Sequence, residues 1–129
     1  MSEKPPQRGP AEWFTGEVWL EPVASLATTE PTQISRVTFR PGARTAWHTH
    51  PHGQVLHVLN GVARIGRDGQ RVVEARPGDT VTFAAGERHW HGASAQQEMS
   101  HLAIQPADPA SGQAADWAEH VTDAEYLDD

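Results

Sequence analysis

The chain has 129 residues, 37% of them hydrophobic, with 17 acidic against 10 basic side chains and no cysteine. A net charge of −7 offers no basic stripe to neutralise phosphates, which argues against nucleic acid, and the missing cysteines leave neither a disulfide framework nor a thiolate metal site. The length suits one domain whose buried fraction is modest, so it gains from pairing with a second copy and a homodimer is expected.

Residues 1–10 are polar and proline-rich without the apolar core of a signal peptide, and read as a disordered tail before a single domain over 11–129. No apolar run approaches a membrane span, so a cytoplasmic protein is expected. Strands are expected over Glu17–Leu20, Gln33–Arg40, Ala46–His50, Gln54–Asn60, Val62–Gly66, Gln70–Ala75, Thr80–Phe83, His89–His91 and Met99–Gln105. Turn signals separate them: Pro41-Gly42, Pro51-His52-Gly53, Asn60-Gly61, Arg67-Asp68-Gly69 and Pro77-Gly78-Asp79. Short strands with regular punctuation predict an all-β sandwich or barrel. Pro106–Ala114 is a loop by composition, and Thr122 with Glu125 three residues on is a capping-box signal for a short, peripheral C-terminal helix. No internal repeat implies a second domain.

The spacing Gly42-x5-His48-x-His50-x3-Gln54-x6-Gly61 carries the chemistry. On a strand, alternate side chains share a face, so His48 and His50 project together while Trp47 and Thr49 point away. A bend through Pro51-His52-Gly53 brings the Gln54 amide oxygen round as a third ligand, and a second strand and tight turn, Gly78 through Arg88, deliver His89 as a fourth.

These two stretches resemble the two motifs of the cupin family, small jelly-roll β-barrels of two antiparallel sheets with a metal inside. The first fits from Gly42 to Gly61 without gaps and the second from Gly78 to His89, with Val62–Pro77 of typical length between them. Ala84 stands where the family usually has proline and Ala93 where it has asparagine; neither is a ligand position. Gly42 through Pro51, Gly53-Gln54, Gly86 through Gly92 and His101 through Gln105 are similar to a bacterial subgroup of single-domain cupins labelled carboxymuconolactone-decarboxylase-like, which includes manganese-dependent hydroxynitrile lyases. That similarity runs from about Trp13 to Tyr126.

Three neutral imidazoles and a neutral amide leave a divalent ion its full charge, which strengthens it as a Lewis acid and favours anionic ligands in the open positions. Such a donor set suits Mn, Fe, Co, Ni or Zn; manganese or iron is favoured, manganese on the resemblance. His91 alternates onto the face of His89, and His101 faces inward if the last strand buries His101, Ala103 and Gln105 opposite Leu102 and Ile104. Either is a candidate acid–base group. His52 and His57 read as surface or interface residues, His120 as structural, and Trp47 and Trp90 as packing residues between sheets or subunits. The resemblance implies a lyase acting on a small hydroxy compound, with the metal as Lewis acid and His91 or His101 as base. Two other classes share the ligands: an Fe(II)-dependent dioxygenase, and a non-catalytic cupin that stores or senses a small molecule.

Overall fold

The computed structural model describes residues 5–26, 32–106 and 115–128. The strands are β1 (Gln7–Arg8), β2 (Phe14–Thr15), β3 (Val18–Leu26), β4 (Thr32–Phe39), β5 (Arg44–Thr45), β6 (His48–Thr49), β7 (Gln54–Asn60), β8 (Ala63–Arg67), β9 (Val73–Ala75), β10 (Thr80–Phe83), β11 (His89–Ala93), β12 (Met99–Pro106) and β13 (Asp116–Trp117), followed by helix α1 (Asp123–Tyr126). One antiparallel sheet runs β1-β3-β4-β12-β7-β10, and the other runs β13-β6-β11-β5-β2 with β8 and β9 continuing from β11. The two curl over a shared core as a jelly roll.

The core follows from strand alternation. In β7, Gln54, Leu56 and Val58 are buried while the residues between them are half-buried; in β12, His101, Ala103 and Gln105 are buried between half-buried Leu102 and Ile104. Phe39, Leu56, Val58, Ile65 and Met99 fill the space between the sheets, each almost wholly removed from water. Each such side chain contributes about 1.5–3 kcal/mol by burial. Between β7 and β8, Gly61 has φ +77°, and a side chain there would collide with the Glu98 carbonyl, so glycine lets the turn at Asn60-Gly61 pass close to the start of β12.

Several details differ from expectation. Within the segment read as a tail, Gln7 and Arg8 pair with Leu20 and Trp19, and Gly9 donates to the Val18 carbonyl. Residues 1–4 lie outside the described residues, as does the loop read over Pro106–Ala114, apart from Pro106, which ends β12. Of the strand expected over Ala46–His50 only His48–Thr49 forms, as β6, and β5 ends just before it at Thr45. The Ala46 carbonyl accepts from the His48 ring, and the backbone of Trp47 bonds to Glu119 and Ala118 instead of a sheet neighbour. Two-residue bridges such as β2 and β13 border this broken edge.

Helix α1 carries the capping box read at Thr122, with the Thr122 side chain accepting from the Glu125 amide and Glu125 accepting from the Thr122 amide. It is not peripheral. Tyr126 is buried between the Arg44 and Arg64 guanidinium groups, 4.7 and 5.2 Å from its ring, and donates its hydroxyl to the Ala93 carbonyl. Trp47 and Trp90 pack with Val72, Val121 and Tyr126 on the outside of the second sheet, under this C-terminal segment rather than between the sheets. Among the described residues no helix is long and apolar enough to cross a membrane.

Candidate metal centre

His48 on β6 and His89 on β11 sit directly opposite each other in antiparallel register, their rings 4.3 Å apart, and His50 closes the group at 4.9 Å from His48. All three are buried, and their ligand nitrogens lie within 4.8 Å of one another. Two turns are tied together to make this geometry: the His50 carbonyl accepts both from Gly53 in the first motif and from Gly86 in the second. Gly53 has φ +85° and sits against the Phe83 carbonyl, a position that favours glycine.

The hydrogen bonds set the tautomers. His48 Nδ1 donates to the Ala46 carbonyl at 2.9 Å and His89 Nδ1 to the Glu87 carbonyl at 2.8 Å, so each neutral ring keeps its lone pair on Nε2. Burial holds both rings neutral. It pushes His48 well below the ordinary imidazole range, helped by its histidine neighbours, and lowers His89 to about 4. Phe83 stacks on His89 at 3.6 Å and Trp117 leans on His48 at 4.6 Å, which restrains both rings.

Gln54, at the start of β7, places Oε1 3.2 Å from His89 Nε2, while its own amide nitrogen donates to Gln105 Oε1 at 3.1 Å. Both Gln54 Oε1 and His89 Nε2 are therefore acceptors, with no proton to share between them. Converging nitrogens of three imidazoles and an amide oxygen fit a divalent cation. The four residues read from the sequence as candidate ligands are thus brought together.

The other two candidate residues lie alongside. His91 is two residues beyond His89 on β11, its ring 5.4 Å from His48, and its Nδ1 shares a 3.0 Å hydrogen bond with His101 Nε2. His91 Nε2 has no hydrogen-bond partner among the described residues. His101 is wholly buried, with Phe39 against its ring at 5.4 Å. Desolvation lowers both, His101 to about 4 and His91 well below its usual value, with the neighbouring histidines adding to the effect on His91. Of the remaining histidines, His57 bonds to the Thr80 hydroxyl on the outer face of β7, and His52 and His120 are exposed.

Beside the centre lies a cavity of about 430 Å³. Its polar wall includes His48, His50, Gln54 and His91, and its apolar wall includes Trp13, Phe14, Val37 and Trp117. Trp13 and Trp117 stack nearly parallel at 5.0 Å on this wall, joining segments that are far apart in the chain. Sequence reasoning missed this wall. Its signal was a tryptophan near each end of the chain, Trp13 beside Phe14 and Trp117 in a largely polar segment.

Comparison with known proteins agrees with this geometry. The cupin domain matches residues 35–105, which contain both motifs. The chain is 50% identical over 119 residues to a protein of Granulicella tundricola named (R)-mandelonitrile lyase, covering 92% of this chain and 89% of that one. A cupin-like protein from Thermotoga maritima is 35% identical and superposes with a TM-score of 0.83 over 92% of this chain and 89% of its own. A cupin-2 domain from Rhodospirillum rubrum, at 19% identity and a TM-score of 0.66 over 84% of this chain and 68% of its own, shares the fold. The chain belongs to the cupin family.

Proposed function

We propose that this cupin is a metal-dependent lyase that cleaves an aromatic hydroxynitrile to an aldehyde and hydrogen cyanide, with manganese as its ion. The observation that carries the reading is a single cavity that sets His48, His50, Gln54 and His91 opposite an aromatic wall, with His89 grouped behind it with His48 and His50. The name of the Granulicella tundricola relative supports the substrate class.

A divalent ion held by His48, His50, Gln54 and His89 would supply Lewis acidity toward the substrate oxygen. His91 does the proton work: in the tautomer that donates Nδ1–H to His101 Nε2 across their 3.0 Å contact, its Nε2 takes the hydroxyl proton. As the O–H pair forms the carbonyl, the carbon–carbon bond breaks and its electron pair leaves with cyanide. His91 then returns the proton to cyanide as hydrogen cyanide. Burial favours that return, because an imidazole held below its ordinary pKa keeps a proton poorly. His101 positions the base and shares its transient charge. The apolar wall holds the ring and excludes water from the leaving cyanide.

The test is to load metal-stripped protein with Mn(II) and follow benzaldehyde and cyanide release from (R)-mandelonitrile. Release that depends on Mn(II) and is lost in His91→Ala is the expected result. A loaded protein that releases no cyanide above the buffer rate overturns the lyase reading.

A further inference from the structure

We propose that Gln105 is a positioning residue for the metal centre, deciding which end of the Gln54 amide faces the histidines. The inference rests on the reading of Gln54 as the oxygen ligand. A glutamine amide has two ends of nearly equal size and opposite character, and only the oxygen can bind a cation. In the structure the oxygen faces His89 Nε2 at 3.2 Å and the nitrogen donates to Gln105 Oε1 at 3.1 Å.

This orientation is not the one His89 alone selects. The His89 Nδ1 proton is committed to the Glu87 carbonyl, so Nε2 offers a lone pair, and the Gln54 oxygen meets it acceptor to acceptor. Rotating the amide by half a turn puts its NH2 on His89 Nε2, a sound hydrogen bond that consumes the lone pair a metal needs. The opposing influence comes from Gln105. Its buried side chain lies next in register beyond the Ile104–Val55 pair, on the strand beside Gln54, and its carbonyl oxygen can only accept. Accepting from the Gln54 NH2 keeps the Gln54 oxygen turned toward the histidines. Removing that acceptor strands a buried NH2 in the metal-competent state and stabilises the rotated one.

Calorimetric titration of metal-stripped protein with Mn(II) tests this. Gln105→Leu is expected to bind Mn(II) about ten- to a hundredfold more weakly than wild type, the equivalent of one unmade buried hydrogen bond. Gln105→Glu, whose side chain only accepts once ionised, is expected to bind at least as tightly as wild type. The decisive arm is Gln54→Glu, whose carboxylate has an oxygen at either end: in that background Gln105→Leu is expected to leave affinity within about threefold, so the two changes are non-additive. Equal losses in both backgrounds, or no loss in Gln105→Leu alone, overturn the proposal. Unchanged affinity in Gln54→Leu removes the ligand reading and the proposal together, whereas lost affinity there with an inert Gln105 removes the positioning role only. Thermal melting by circular dichroism checks the fold, and the Gln105→Glu arm reads the same question if Gln105→Leu does not fold.

Discussion

Along β11 the side chains alternate between two chemistries. His89 and His91 face the barrel interior, where buried imidazoles crowd around the candidate metal centre, while Trp90 between them faces out and packs with Trp47, Val72, Val121 and Tyr126. The first sheet shows no such division: the inner face of β7 carries Gln54 beside Leu56 and Val58, site and core together. The contrast teaches that β11 separates function from stability by the pleat alone. Its inner face can hold polar groups that burial disfavours because its outer face, sealed by the C-terminal segment, supplies compensating apolar contact.

The sharpest way to break this comparison is His89→Ala. Metal occupancy by elemental analysis should fall from about one ion per chain toward none, while the circular dichroism spectrum is preserved. Occupancy equal to wild type would remove the inner face as a metal centre. His91→Ala should keep both metal and fold and lower turnover on the hydroxynitrile by about 10²–10⁴-fold, as for a lost acid–base group. Full activity in a metal-replete variant would leave His91 without a proton-transfer role.

Acid separates the faces without mutation. His48, His89, His91 and His101 are all held below the ordinary imidazole pKa by burial. The unfolded chain takes up protons on these rings near pH 6.5 and the folded one does not, so the metal-stripped protein keeps its full stability above that pH and loses it as pH falls toward 4. Each ring contributes up to about 1.4 kcal/mol per pH unit. Urea midpoints at pH 7 and pH 5 measure the loss, and identical midpoints would contradict it. Trp90→Ala acts on the other face: a stability loss of about 3–5 kcal/mol at both pH values, with the acid slope unchanged, is expected from denaturant titrations. The smallest effect is that of Tyr126→Phe, which removes the hydroxyl bond to Ala93 and should cost about 1 kcal/mol by the same measurement.

Much of this arrangement is legible in local sequence because a strand's period of two needs no partner to be read. Gln54–Asn60 and Thr80–Phe83 appear with the bounds the turn residues imply. Likewise His48 and His50 come to the same face despite the break at Ala46. The capping box at Thr122 is equally local, being a three-residue reciprocal bond. What the helix does was not legible: its burial depends on Arg44 and Arg64, distant strand residues whose chains run under Tyr126. Two-residue strands were missed because two residues carry no period. The broken edge at Ala46 was missed because a histidine ring competes there for a backbone acceptor.

By itself the sequence determined the all-β class, the candidate ligand residues and the faces they occupy, since spacing and alternation are properties of one strand at a time. Only the tertiary structure decided which faces meet. The pairing of His48 with His89, the His91–His101 bond, the Gln54–Gln105 bond and the Trp13–Trp117 stack each join residues from separate strands or opposite ends of the chain. Contacts of that kind follow from sheet order and register, which the whole set of strands settles at once through the burial of a common core.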